Sequence, residues 1–216
     1  EDKPSLDAKR LFTPPQIDGE VLADPAWDVA DKASGFTQQR PYNGQAASQK
    51  TEVYVGYTKD TLYLGVICFD SDPDSLIVSD SGRDSSLSDV DSFTVIFDSF
   101  LDRQNGLMFG TTPTSIEYDG QIMKEGSGRF GSGGGAVNMN WDVAWTVKSQ
   151  IGDYGWSAEF AIPFRSLRYG PEELQDWGLN FQRNIARNDE TSFWVPLERQ
   201  YNLYRVSEAG TLKGLR

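Results

Sequence analysis

Aspartate is the residue type whose spacing most suggests chemistry in this chain. Nine aspartates lie between positions 70 and 102 (70, 72, 74, 80, 84, 89, 91, 98 and 102), and Arg83 is the only basic residue among them. Carboxylate oxygens are the ligands that calcium prefers. This concentration of negative charge predicts either a bound cation or a solvated loop in which aspartates cap turns.

The first candidate metal ligands are Asp70, Asp72 and Asp74. Their alternating spacing is the one with which calcium loops begin, but Pro73 stiffens the turn, and the usual glycine and distal glutamate are missing. A solvated hairpin loop is therefore the favoured interpretation.

Asp89 and Asp91 are the second candidate set, because they lead directly into an apolar segment over 92–97. Oxygen-only ligands at this strand end would indicate calcium. Salt bridges to Arg83 or Arg103 are an equal alternative.

Aromatic rings are the second resource for chemistry, because sugars present apolar C–H faces that stack on them. Trp194 follows a polar stretch that contains Arg183, Arg187 and Asp189, which is typical of a binding-site rim. Trp141 and Trp177 stand at predicted loop edges and fit a core or a site equally well, and of the two we count Trp141 among the candidate carbohydrate-binding residues. Trp27, Trp145 and Trp156 fit packing roles better.

Catalytic signals are weak. The chain has no histidine, so the commonest neutral-pH general base and zinc ligand are lacking. Glu117, Glu125 and Glu159 could in principle serve a glycosidase, but acidic residues are so common here that no pair stands out. The sequence predicts a ligand-binding protein rather than an enzyme.

The composition of the chain excludes several classes of binding partner. The formal net charge of -12 disfavours nucleic acid and anionic membrane surfaces. No apolar run is long enough for a membrane span, so we expect no direct membrane insertion, and we expect a monomer. Cys68 lies in an apolar run and is predicted to be a buried, inert thiol.

Short alternating segments separated by turn residues predict an all-β, two-sheet antiparallel sandwich. The predicted strands cover 52–57, 61–69, 92–97, 106–111, 115–123, 144–151, 155–163, 178–186 and 192–196. Minor short helices are predicted over 163–167 and 171–176, and a mobile surface loop over the glycine-rich stretch 126–135. Residues 1–16 are predicted to be an arm or linker, and 17–216 a single domain.

Five segments, in order, resemble the family 9 carbohydrate-binding module-like domain. They are IDGEVLADPAW (17–27), TEVYVGYTKDTLYLGV (51–66), DVDSFTVIFD (89–98), YGWSAEFAIPFRSL (154–167) and SEAGTLKGL (207–215). The last segment is also similar to that of a variant found at the N-terminus of outer-membrane β-barrel proteins of unknown function.

The resemblance implies a jelly-roll-like sandwich, bound calcium, and two tryptophans that clamp a terminal sugar ring. Trp194 occupies the late clamp position, with Arg183 and Arg187 before it. The earlier tryptophan of the family falls in the loop 79–89, which has no aromatic residue here, and Arg83 could offer a stacking plane instead.

We therefore predict a non-catalytic carbohydrate-binding module, calcium-stabilised, that acts outside the cytoplasm in the periplasm or at the cell surface. In the full-length protein it would be attached to the outer membrane through its own C-terminal barrel. The alternative is a structural or interaction domain, a plug or docking module of that barrel, with no sugar binding.

Overall fold

A computed structural model describes residues 2–79, 82–127 and 137–216. Within these ranges the chain is all-β, and its strands form two sheets. The predicted fold class is confirmed. The predicted glycine-rich surface loop, 126–135, lies outside the described residues from position 128 onward.

The described strands, in chain order, are β1 (Ser5–Asp7), β2 (Lys9–Arg10), β3 (Lys32–Ala33), β4 (Thr37–Arg40), β5 (Thr51–Tyr57), β6 (Thr61–Phe69), β7 (Ser92–Asp98), β8 (Gly106–Thr111), β9 (Tyr118–Ile122), β10 (Val137–Asn138), β11 (Thr146–Gly152), β12 (Gly155–Pro163), β13 (Gln175–Ile185), β14 (Glu190–Phe193) and β15 (Gly210–Leu215). Single 3-10 turns cover Pro25–Val29, Pro73–Ser75, Lys124–Gly126, Phe164–Ser166, Ala186–Asn188 and Val206–Glu208. None of these described turns is long and apolar enough to cross a membrane.

The larger sheet has the strand order β1-β15-β13-β7-β8-β9-β10, and β14 joins β13 to β4 at its side. The smaller sheet has the order β11-β12-β6-β5-β2, with β3 against β5. Neighbouring strands are antiparallel except for two edge pairs, β1 with β15 and β2 with β5, which are parallel. Both sheets are therefore mixed.

Every second side chain of the central strands points inward, and these side chains form the core between the two sheets. Phe93, Val95 and Phe97 of β7 point inward and are fully buried, as their spacing predicts. Phe93 meets Phe160 of the smaller sheet at a centroid distance of 6.1 Å. Ile96, one residue out of phase, points to the outer face of the larger sheet.

The outer face of the larger sheet is only partly covered. The segment between β14 and β15 places Leu197, Leu203 and Val206 on Ile96 and Met108, and these residues form a second apolar cluster. This cluster leaves the neighbouring part of the outer face uncovered. A concave surface therefore remains on the outside of the larger sheet.

The prediction of an arm over residues 1–16 is wrong for residues 5–11. Leu6 and Leu11 are 5% exposed, and β1 and β2 add to the edges of both sheets. Gly56 leaves room for Leu11, since a Cβ there would lie 2.6 Å from its side chain. Strands of two or three residues are too short to show alternation, and the nearby prolines indicated a linker.

One of the two predicted helices is also wrong. Residues 163–167 contain the turn Phe164–Ser166, but 171–176 contains no described helix, and Gln175 already belongs to β13. The side-chain amide of Gln175 donates hydrogen bonds to the carbonyls of Gly170 and Glu172. These bonds stabilise a loop instead of a helical turn.

Candidate functional site

Four of the predicted site residues meet at the end of β6 and β13. Asp70 accepts two hydrogen bonds from the guanidinium of Arg187, at 2.8 and 2.7 Å. Arg183 lies 3.9 Å from the same carboxylate. Burial raises the pKa of Asp70, but the bonds from Arg187 and from the backbone of Asp72 outweigh it and hold the pKa below its ordinary value.

Arg183 cannot touch a ligand directly, because its side chain is fully buried. It donates to the carbonyl of Lys50 at 3.0 Å, to Oγ1 of Thr51 at 3.2 Å and to the carbonyl of Phe69 at 2.7 Å. These bonds tie β13 to the ends of β5 and β6 in the other sheet. The predicted carbohydrate contact at Arg183 is wrong, and the residue has a structural role.

The five predicted metal ligands do not surround one point. Asp70 is saturated by Arg187, and Asp91 is fully buried with Oδ1 accepting from the backbone of Ile77 and Ala186, both at 3.2 Å. Asp72, Asp74 and Asp89 are exposed. No cluster of three or more metal-binding side chains occurs among the described residues. This set of aspartates does not fit a shared calcium ion.

Asp91 is nevertheless unusual. Its Oδ2 is buried and has no hydrogen-bond partner in the described part of the chain. Burial raises the pKa of Asp91, against the two backbone hydrogen bonds. The Asp91 carboxylate therefore holds the 3-10 turn Ala186–Asn188 in place at an electrostatic cost.

Trp194 lies in the core and not at a rim. It is 7% exposed, and its ring packs on Phe181 at a centroid distance of 5.4 Å. Phe193 pairs with Gln182 across β13 and β14, so these two share the outer face, and the next residue, Trp194, points inward. A stacking role for Trp194 is incompatible with this placement.

Arg83 does not offer a free stacking plane either. Its guanidinium contacts Glu117, Asp119 and Asp142, each at 2.7 Å, and Asp84 at 3.6 Å. Burial lowers its pKa, but the four carboxylates raise it above the ordinary value. These ion pairs fix Arg83 to Asp119 of β9 and to the neighbouring Glu117.

The three glutamates considered for glycosidase chemistry lie in different places. Glu117 binds Arg83, and Glu125 accepts from the backbone of Ser207 at 2.9 Å. Glu159 is fully buried and accepts from the indole of Trp27 at 2.9 Å and from the backbone of Gly19 at 3.1 Å. Each of these glutamates already has a structural partner, and no two of them form the pair of carboxylates that a glycosidase needs.

The strongest candidate site is a concave surface of about 380 Å³ on the outer face of the larger sheet, which we call the outer groove. Its size is within the range of small-molecule pockets, roughly 300–1,000 Å³. The lining residues are Arg40, Ser86, Leu87, Ser88, Thr94, Met108, Tyr118, Gln182, Asn184, Asp189, Thr191, Asn202, Leu203 and Tyr204.

Strand register builds the floor of the outer groove. Tyr118, Gly110, Thr94 and Gln182 are successive cross-strand partners in β9, β8, β7 and β13, so they lie side by side on one face. Gly110 gives the floor its depth, because a Cβ there would lie 2.9 Å from Leu87 and 3.1 Å from Thr94 Oγ1.

A second row of polar groups follows the first. Arg40, Thr191 and Asn184 are cross-strand partners in β4, β14 and β13. Asn184 Oδ1 accepts from Gln182 Nε2 and from Thr191 Oγ1, both at 3.1 Å, and its Nδ2 donates to the carbonyl of Leu87 at 3.2 Å. The amide of Asn184 is thus fully oriented, and no described group donates to Gln182 Oε1.

Two tyrosines supply the aromatic rings that the predicted site lacks. Tyr118 comes from β9, and Tyr204 comes from the segment between β14 and β15. Burial, with Tyr204 and Asp84 nearby, raises the pKa of Tyr118 to about 12, so its hydroxyl stays neutral. The alternation of the predicted strand 115–123 was the only sequence signal for Tyr118, and Tyr204 had none.

Three residues of the loop 79–89, namely Ser86, Leu87 and Ser88, line the outer groove. The resemblance placed the earlier aromatic clamp in this same loop.

A larger cavity, of about 450 Å³, lies over the smaller sheet beside Trp27. Its indole is 3% exposed and bound to Glu159, so that ring offers no face to a ligand.

Comparison with solved structures agrees with this architecture. A family 9 carbohydrate-binding module from Caldicellulosiruptor kristjanssonii in complex with cellotriose superimposes with a TM-score of 0.67 at 16% identity, over 99% of this chain and 95% of the module. The module from the same organism in complex with glucose gives 0.63 at 17% identity, over 97% and 95%. A protein from Bacteroides uniformis proposed to bind carbohydrate gives 0.73 at 13% identity, over 98% and 99%.

The chain has the fold of family 9 carbohydrate-binding modules. At these identities the likeness concerns the fold. No protein-family model matches the sequence, and no curated protein matches it.

Within this family 9 fold, the chain distributes its aromatic residues differently from the expected clamp. The late tryptophan is in the core, and the loop 79–89 contributes serines. The two tyrosines and the row of amide and hydroxyl groups stand at the outer groove instead. Any stacking there would use Tyr118 and Tyr204.

Proposed function

We propose that the chain is a non-catalytic carbohydrate-binding module and that its ligand occupies the outer groove. The observation that carries the proposal is the register of polar side chains and tyrosines along one open face of the sheet. Structures of the same fold hold cellotriose and glucose, which makes these two sugars the first probes.

The chemistry of the outer groove suits a pyranose ring. Tyrosine faces pack against the C–H faces of a sugar, and planar amides bind neighbouring hydroxyls. Gln182 Oε1 is available as an acceptor, and Asn184 and Thr191 are already held in place. Such preorganisation reduces the entropy that is lost when a ligand binds.

The proposal of binding without catalysis is supported by the positions of the carboxylates. Asp189 is the one carboxylate among the lining residues of the outer groove in the described structure. Glycoside hydrolysis ordinarily requires two carboxyl groups that flank the bond. Loss of a glycosidic bond in the presence of the purified chain would contradict this proposal.

A comparison of two glutamine variants tests the outer groove. Gln182→Ala removes a floor residue, whereas Gln150→Ala removes an exposed glutamine of β11 in the other sheet. We expect the first to weaken cellotriose binding by about 3- to 10-fold, the value of one or two hydrogen bonds, and the second to leave it unchanged. Isothermal titration measures both. Absence of binding by the folded wild type at millimolar sugar would contradict the function itself.

The cellular setting is a separate proposal that rests on the resemblance alone. We propose that the module acts outside the cytoplasm and is joined to an outer-membrane barrel. The segment 207–215 that carries this resemblance contains β15, which pairs with β1 and β13. Separate expression of module and barrel followed by co-purification would favour a docking role, the alternative function.

A further inference from the structure

A second cavity, of about 410 Å³, opens at one end of the sandwich and shares no lining residue with the outer groove. We call it the end cavity. It lies between the turn after β7, the strands β8 and β9, and the segment before β11. The side chains that matter are Phe100, Leu107, Gln121, Met123, Trp141 and Arg168.

The end cavity holds the accessible aromatic rings of this region. Trp141 is partly buried, whereas the other five tryptophans are at most 7% exposed. Its ring packs edge to face on Phe109 at a centroid distance of 5.8 Å, which fixes its orientation. Phe100, in the turn after β7, is 57% exposed. Both rings are therefore available to a ligand without a change in the core.

Unpaired polar groups stand beside these rings. The guanidinium of Arg168, the amide of Gln121 and the indole N–H of Trp141 have no hydrogen-bond or ion-pair partner within residues 2–79, 82–127 and 137–216. Charged and amide groups beside an aromatic face are the combination that binds sugar hydroxyls. An entirely apolar ligand would leave all three unpaired.

Hydrogen bonds tie two segments at the rim of the end cavity together. Asp98 accepts from the backbone of Asp102 at 3.1 Å and of Arg103 at 2.8 Å. Ser99 Oγ donates to the carbonyl of Arg168 at 2.5 Å, which joins the turn after β7 to the loop that carries the guanidinium. The backbone that carries the Arg168 guanidinium is thus held against the turn after β7.

We propose that the end cavity is a second carbohydrate-binding site, in which a pyranose ring packs on Trp141 while Arg168 and Gln121 bind its hydroxyls. The site goes beyond the outer groove and does not depend on it. A chain with two such sites would hold a polysaccharide more firmly than either site alone, because the second contact is intramolecular.

Tryptophan fluorescence separates the two sites, because the outer groove contains no tryptophan. We expect cellotriose or xylotriose at millimolar concentration to shift or quench the emission of the wild type and of Gln182→Ala alike. Trp141→Phe should abolish the change. An emission that no sugar alters, or a change that persists in Trp141→Phe, would overturn the end cavity as a sugar site.

Two further variants keep the test sharp if Trp141→Phe folds poorly. Arg168→Ala and Gln121→Ala remove polar groups without affecting the core, and each should weaken the fluorescence-detected affinity by about 3- to 10-fold. Arg165→Ala, an exposed arginine outside the cavity lining, is the control. Equal affinity in all three variants would contradict the proposal. If the outer groove alone fails as a site, Gln182→Ala will leave the cellotriose affinity measured by isothermal titration unchanged, while the fluorescence change of the wild type remains.

Discussion

The carboxylate of Asp70 and the guanidinium of Arg187 form a two-point ion pair, with oxygen to nitrogen distances of 2.7 and 2.8 Å. From the sequence, Asp70 was predicted to bind a metal and Arg187 to bind a sugar. In the structure the two side chains neutralise each other instead. The pair holds the turn Ala186–Asn188 beside β6, next to the strands that carry the outer groove.

Loss of Arg187 should destabilise the fold. Arg187→Ala leaves the fully buried Asp70 side chain with only the guanidinium of Arg183, 3.9 Å away, as a cation, and we expect the free energy of unfolding to fall by about 2–4 kcal/mol. Urea denaturation measures the change. The double variant Asp70→Asn with Arg187→Ala should lose less than the sum of the two single variants, and strict additivity would contradict the pairing.

The same pair predicts an acid-dependent loss of stability. Because the folded pKa of Asp70 is below the ordinary 3.8, its contribution is complete at neutral pH and is lost as the pH falls from about 3.8 through the folded value. Asp70→Asn should therefore be less stable than the wild type at pH 7, and the gap should narrow below pH 4. Thermal melts at both values measure it. A gap that is independent of pH would contradict this assignment.

Glu159 should act in the opposite direction. Burial raises its pKa from 4.5 to about 7, although the hydrogen bond from Trp27 opposes the shift. The folded state then holds a proton that the unfolded state has released between these two values, so stability falls as the pH rises through that window. The contribution is on the order of 3 kcal/mol.

Glu159→Gln tests this assignment by difference. Asp91, Asp98 and Asp119 also have raised pKa values, so the wild type alone cannot isolate Glu159. The slope of melting temperature against pH between 5 and 7 should be steeper in the wild type than in the variant. Parallel slopes would show that Glu159 does not titrate there.

The central strands could be predicted because they are long and alternate clearly. β6, β8 and β12 begin and end at the predicted residues. The short edge strands β1 and β2 could not, because they depend on pairing with β15 and β5, which are distant in sequence. Local pattern contains no information about such partners.

The site was missed by one residue of register. The sequence interpretation chose Arg183 and Trp194, whereas Gln182 and Phe193 are the residues that face outward. In a strand buried on both faces, the polar pattern does not reveal which side is open. Arg40, Tyr118 and Gln182 come from three distant segments, and only the sheet order brings them together.

Calcium stays a prediction from the resemblance. If calcium binds the native chain, its removal by a chelator should lower the melting temperature. Since no three carboxylates converge among the described residues, we expect replacement of the exposed residues Asp72, Asp74 or Asp89 by asparagine to leave the calcium-dependent shift as in the wild type. A shift that disappears in any of these variants would restore that aspartate as a ligand.

An aromatic residue restored to the loop 79–89 should strengthen sugar binding. Ser88 is exposed and lines the outer groove, so Ser88→Trp adds an indole where the groove now has a hydroxyl. Stacking of an aromatic ring is worth about 0.5–1.5 kcal/mol, which corresponds to a gain in cellotriose affinity of roughly 2- to 10-fold. Ser34→Trp places the same residue on an exposed surface outside the groove and should have no effect. Isothermal titration of the three proteins decides the matter, since an equal gain in both variants would mean that the new indole acts nonspecifically and not through Tyr118 and Tyr204.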